Sequence, residues 1–263
     1  MFNQEGKMKK GFSLVELSIV IIIIGLLFVG VSVGSSLIEQ AKNKSIIYEI
    51  QEIERSIKIF VTSFDYLPGD FPDASKIWGD ACGGDDAAPK GCVGNADGFV
   101  TSTEMIRFWQ HLQLAEAMDK SFTGISGGAS YVAGSDPWHN ESNAYESRYE
   151  DGLLYQIHHT GNTWLNYGIK NHLIRLGKND NGPYYNSQGG SFTAKEVYLI
   201  DKKIDDGKPF VGFIQGHIAY LGTGWDTKSC SGWGGTYDTA YYLIDRDDTA
   251  CQIVFSGNRI LGF

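Results

Sequence analysis

The sequence predicts an α+β fold. A long N-terminal α-helix, with a membrane half and an amphipathic half, packs on an antiparallel β-sheet that carries extra loops and short helices. Three observations carry this. No charged residue occurs from Leu17 to Ile38, about the length a helix needs to cross a bilayer. Ile46, Ile50, Ile53, Ile57, Phe60 and Phe64 then recur at alternating spacings of four and three, the stripe of an amphipathic helix. Beyond Pro68-Gly69 the pattern breaks into short apolar and aromatic runs between Gly-, Asn- and Ser-rich turns, as strands do. At 263 residues there is chain enough for one sizeable domain and an anchor.

Charge and cysteine use narrow the function classes. The net charge is −9. Lys7, Lys9 and Lys10 outweigh Glu5 at the amino terminus, so the remainder is more acidic still. An acidic body argues against sequence-independent nucleic-acid binding, which neutralises phosphates with Lys and Arg. Cys82, Cys92, Cys230 and Cys251 all follow the apolar run, and none forms a CxxC. If the anchor exports this part to an oxidising compartment, disulfides are the default. The sequence-local pairs Cys82–Cys92 and Cys230–Cys251 are one of the three connectivities that four cysteines allow. Each such loop closure is worth about 3 kcal/mol in the chain-entropy model.

The first element is the stretch "KKGFSLVELSIVIIIIG", which begins at Lys9. A secretory signal accounts for the basic start and the apolar run, and an ordinary anchor accounts for the lysines on the inner side. Neither gives Glu16 a reason, although a charge at the centre of a membrane helix costs about 2.5–3.5 kcal/mol. The stretch resembles the class III signal of type IV pilins and type II secretion pseudopilins. That pattern is a short basic leader, a glycine, a phenylalanine, and an apolar helix with glutamate at the fifth mature position. Here the matching residues are Gly11, Phe12 and Glu16.

The resemblance implies a set of roles. Residues 1–11 would be a leader, removed by a membrane-embedded prepilin peptidase between Gly11 and Phe12, with N-methylation of Phe12. Glu16 would neutralise a neighbouring subunit's new amine during assembly, as intramembrane ionisable groups usually face a partner. Residues 12–38 would be the transmembrane and assembly half of the helix, 39–66 its amphipathic half, and 67–263 the globular α+β domain. Cys230 and Cys251 are placed to bound the C-terminal region that the family commonly closes with a disulfide. The implied setting is the bacterial inner membrane, crossed once, with a short cytoplasmic amino terminus and a periplasmic body that later joins a fibre. The implied partners are prepilin peptidase, other pilin or pseudopilin subunits, the inner-membrane assembly machinery and membrane lipid. The implied function is that of a structural fibre subunit. A minor pilin or tip adhesin is the alternative, and a membrane-anchored enzyme a third reading.

Along the rest of the chain each element has its own signal. The face opposite the isoleucine stripe carries Lys42, Lys44, Glu49, Glu52, Glu54, Arg55 and Lys58, with Glu54 and Lys58 in the favourable i,i+4 order. Pro68 and Gly69 are expected to stop the helix. Asn95, Asp97, Gly98 and Glu104 match most of an EF-hand-like loop, but its first ligand position is Val93. Asn95, Asp97 and Glu104 are therefore candidate calcium ligands, and no other cofactor is expected. Thr101 and Glu104 also form a T-x-x-E capping box that needs no metal. It precedes a helix with Met105, Trp109, Leu112 and Ala115 on one face. "GLLYQIHH" and "TWLNYGI" read as strands, and His158-His159 as a satisfied or surface pair, since no HExxH or carboxylate-spaced partner accompanies it. Thr193 and Glu196 form a second capping box, with Ala194, Val197, Ile200 and Ile204 on one helix face. Asp205-Asp206-Gly207 closes that helix, and Phe210 to Leu221 reads as a strand. The sequence holds no P-loop or GxGxxG, so a structural subunit is favoured over an enzyme.

Overall fold

The structure, a computed structural model, describes residues 11, 13–83, 92–101, 104–125, 140–159, 172–178, 190–218, 230–232 and 234–261. Phe12, the first ten residues and the "TWLNYGI" run lie outside the described residues. The chain divides into two units, Met1–Lys42 and Asn43–Phe263. Helix α1 is Leu14–Phe64.

In the first unit α1 is apolar on every side. Its large side chains from Leu14 to Ile38 are all exposed, Phe28 by 71%. A helix apolar all round is a helix for a membrane or for like neighbours. In length and composition it can cross a bilayer.

The second unit is built on an antiparallel sheet in the order β1-β2-β3-β7-β4. Its strands are β1 (Tyr145–Glu146), β2 (Leu153–His159), β3 (His172–Lys178), β4 (Ile214–Ile218) and β7 (Cys251–Ser256). Between β4 and β7 a small hairpin pairs β5 (Ser231–Gly232) with β6 (Tyr241–Tyr242). The helices are α2 (Ala74–Trp78), α3 (Glu104–Leu114), α4 (Ala194–Ile204) and α5 (Gly257–Leu261). The period-two pattern of the strands decides which face meets the core. Tyr155, Leu176 and Ile253 align across β2, β3 and β7, and Ile157, Ile174, Phe255 and Ile214 form the next row. These rows share the main core with Ile46, Ile50, Ile53, Ile57 and Phe60 of α1, so the isoleucine stripe packs on the sheet as expected.

Four local expectations are corrected. Glu49 is fully buried rather than on the solvent face. It lies one turn from Ile46 and Ile53, at the edge of the stripe, and polar groups of the sheet meet its carboxylate there. Helix α1 ends at Phe64, the end expected, but Asp65 rather than Pro68 makes the stop. Asp65 takes a left-handed φ of 61°, and its N–H bonds to the Val61 carbonyl, which turns the chain before the proline is reached. Helix α3 is buried on all sides from Glu104 to Leu112 rather than on one face. Its polar groups meet loops instead of water: Arg107 donates to Val93 O, and Gln110 to Gly83 O and Thr123 O. Finally, β4 begins at Ile214, because the Asp205 carboxylate holds the N–H groups of Phe213 and Ile214 in the preceding turn.

The second capping box is present. Thr193 accepts from the Glu196 N–H, and Glu196 from the Thr193 N–H. Both disulfides join sequence-local cysteines, Cys82–Cys92 with Cα atoms 5.1 Å apart and Cys230–Cys251 at 5.2 Å. The second ties the β5–β6 hairpin to the start of β7.

Candidate functional site

Two places carry chemistry beyond packing. The first is the start of α1. Gly11 is exposed. The Ser13 N–H donates to Glu16 Oε2 at 2.8 Å, and the Val15 N–H to Ser13 Oγ at 3.2 Å. Ser13 thus caps the helix through the Val15 N–H, and Glu16 supplies the return arm of a capping box to the Ser13 N–H, a role that S-x-x-E in the sequence signals. A carboxylate in the first turn also complements the helix dipole. Glu16 is therefore satisfied within its own chain at the point where cleavage before Phe12 would create an amine.

The second place is the loop ahead of α3. The Asp70 carboxylate accepts the N–H groups of Asp97 at 3.2 Å and Gly98 at 2.8 Å. Glu104 accepts those of Asn95 and Thr101, each at 3.0 Å. Asp97 accepts the Phe99 N–H at 2.8 Å and the Asn95 side-chain amide at 3.0 Å. Carboxylate oxygens of Asp70, Asp97 and Glu104 lie within 4.8 Å of one another. Asp97 and Glu104 of the expected set are brought together. Asn95 is tied back to Asp97, and Asp70 completes the cluster. The sequence signal for Asp70 is the Pro68-Gly69-Asp70 turn. Gly69 has φ 90°, and a Cβ there would come within 2.5 Å of the Glu104 carbonyl oxygen, so only glycine lets this turn sit against α3. Burial pushes Glu104 up to about 7; the nearby Asp70 and Asp97 carboxylates add to it, and the two N–H donors oppose it. Burial also raises Asp70. Asp70, Asp97 and Glu104 are the residues that could hold a cation here.

His111 anchors the same loop from below. Its Nδ1 accepts the Gly69 N–H at 2.8 Å, and its Nε2 donates to Cys92 O at 2.6 Å. Its ring stacks on Phe60 of α1 at 5.8 Å. Burial lowers its pKa to about 4, with Arg107 adding to the shift and Cys92 O opposing it. The folded pKa lies below the unfolded value near 6.5. His111 therefore contributes stability that is present above about pH 6.5 and lost as pH falls through about 4. Thermal melts should show a falling midpoint over that window, and His111→Leu should flatten this part of the profile. An unchanged slope in the variant would contradict the assignment.

The remaining candidates are structural. His158 and His159 point to opposite faces of β2, and the His159 ring packs on Phe99 at 4.4 Å and His172 at 5.2 Å. Asp201, Asp205 and Asp206 cluster as well. Asp201 accepts from Tyr242 Oη at 2.7 Å and from the Gly207 N–H, Asp205 from the start of β4, and Asp206 from the Lys208 N–H. The turn after α4 is built from these bonds.

Comparison with known proteins adds one match. The family model for the prokaryotic N-terminal methylation motif matches residues 6–32, which include Gly11, Phe12 and Glu16. The match supports a protein similar to type IV pilins or pseudopilins. No curated protein and no solved structure matches the chain.

Proposed function

We propose that this pilin-like chain is a structural subunit of a type IV pilus or a type II secretion pseudopilus. In this reading prepilin peptidase cleaves between Gly11 and Phe12 and methylates the Phe12 amine. The apolar half of α1 holds the mature chain in the membrane and then enters the fibre core. The methylation motif at residues 6–32 is the observation that carries the reading, and the exposed apolar helix beginning at Leu14 supports it. The motif belongs to structural rather than enzymatic proteins. Fibres sheared from cells should contain the chain. An abundant chain marks a shaft subunit and a scarce one a tip or minor subunit; absence from the fibre fraction would contradict the reading. An anchored enzyme would instead keep its activity after deletion of residues 1–38.

The calcium expectation belongs to the same reading. Asp70, Asp97 and Glu104 would hold the ion. It would relieve their mutual repulsion and tie the turn after α1 to the start of α3. Millimolar calcium should raise the melting temperature of the full chain, chelator should reverse the rise, and Asp97→Asn should shrink it. A melt indifferent to calcium and chelator would end the idea.

A further inference from the structure

The charge on the outer face of α1 is one-sided. Between Asn43 and Phe64 the exposed charged residues are Lys44, Arg55 and Lys58, all cations. The three glutamates of the same stretch are buried or half-buried. This segregation stands out in a chain of net charge −9. Lys58 is paired with Glu54 at 2.8 Å, whereas Lys44 and Arg55 have no carboxylate partner among the described residues. The two lie three helical turns apart, roughly 16 Å. Tyr48, 65% exposed, and Ile59, 46% exposed, stand on the same face.

A second surface has the opposite character. The segment between β6 and β7 exposes every residue from Ile244 to Thr249. Asp248 pairs with Arg246 at 3.3 Å, while Asp245 and Asp247 have no cationic partner among the described residues. Two large apolar groups flank them, Tyr241 at 55% exposure and Ile244 at 44%. Each surface thus offers two apolar side chains and two uncompensated charges, and the signs are opposite. Complementary charge of this kind fixes register and partner choice.

We infer that the outer face of α1, at Lys44, Tyr48, Arg55 and Ile59, docks on the Tyr241–Asp248 surface of a second copy of this chain. Two different surfaces of one chain that fit each other form a heterologous contact. Such a contact propagates as an open helical filament when the rotation does not close. The inference rests on the fibre reading proposed above and gives it a lateral contact outside the membrane.

The test uses the full chain in cells that make the fibre. Lys44→Glu with Arg55→Glu should abolish fibres, because like charges then face each other. Asp245→Lys with Asp247→Lys should do the same. The chain carrying all four changes should restore them. Both disulfides and the thermal midpoint of the second unit should persist in every variant, which separates lost assembly from lost folding. A Gln51→Cys, Thr249→Cys chain should give a ladder of cross-linked multimers under oxidation. A four-fold variant as defective as either pair, or fibres without a ladder, would overturn the inference. So would normal assembly of the aspartate variant, the result expected of a cationic stripe that faces anionic lipid. If the unaltered chain forms no fibres, the fibre reading itself fails and takes this contact with it.

Discussion

Glu49→Ala should destabilise the second unit by about 3–5 kcal/mol, the cost of breaking a buried hydrogen-bonded charge network. Glu49 is the one fully buried carboxylate of α1 among the described residues. Its Oε1 accepts the Arg148 N–H at 2.8 Å, and its Oε2 accepts the hydroxyls of Ser147 at 2.6 Å and Tyr155 at 3.0 Å. Removing the carboxylate strands the buried hydroxyls of Ser147 and Tyr155 and loosens the part-buried Arg148 N–H, and each stranded buried donor costs about 1–3 kcal/mol. Burial and the adjacent carboxylate drive the Tyr155 pKa well above its ordinary value, so the tyrosine stays a donor. Tyr155→Phe alone should cost about 1 kcal/mol and much less in the Glu49→Ala background, since the two share one interaction. Denaturant titration of the four proteins of this cycle measures both numbers. Additive effects, or a Glu49→Ala cost below about 1 kcal/mol, would show that the network does not fix the helix on the sheet.

The second large effect is expected at Glu16, where two roles must be separated. In the first turn of α1 it bonds the Ser13 N–H, and losing a cap costs about 1 kcal/mol. As a charge it would meet an amine created by cleavage. Glutamine serves a capping box as glutamate does but carries no charge. Glu16→Gln should therefore leave cleavage and helix start intact and still abolish fibres, as Glu16→Ala should. Fibres in the glutamine variant would assign Glu16 to capping alone. Fibres in both variants would remove it from assembly altogether.

What could be read in advance follows the range of the interactions concerned. The isoleucine stripe, the Thr193–Glu196 box and strand β2 are local patterns, and the structure has them where spacing put them. Glu49 was misplaced because its environment comes from Ser147, Arg148 and Tyr155, roughly a hundred residues on. A charged residue at the margin of an apolar stripe gives no sign of what it will meet. Helix α3 looked one-sided because its polar residues are spaced like a solvent face. They instead satisfy carbonyls of loops that only the tertiary fold brings over them. Asp70 entered the acidic cluster the same way, through a bond to Gly98 across the turn. The capping role of Glu16 was the reverse case: it is wholly local, and was hidden behind the more specific leader pattern around it.

Gly11, Phe12 and Glu16 are expected to act as one processing and assembly signal. The intact mass of the protein extracted from membranes tests this most directly. The expected mass is that of a chain beginning at Phe12 with one added methyl group and both disulfides formed. A chain that begins beyond Ile38, or that keeps its first eleven residues in cells with an active prepilin peptidase, would contradict it.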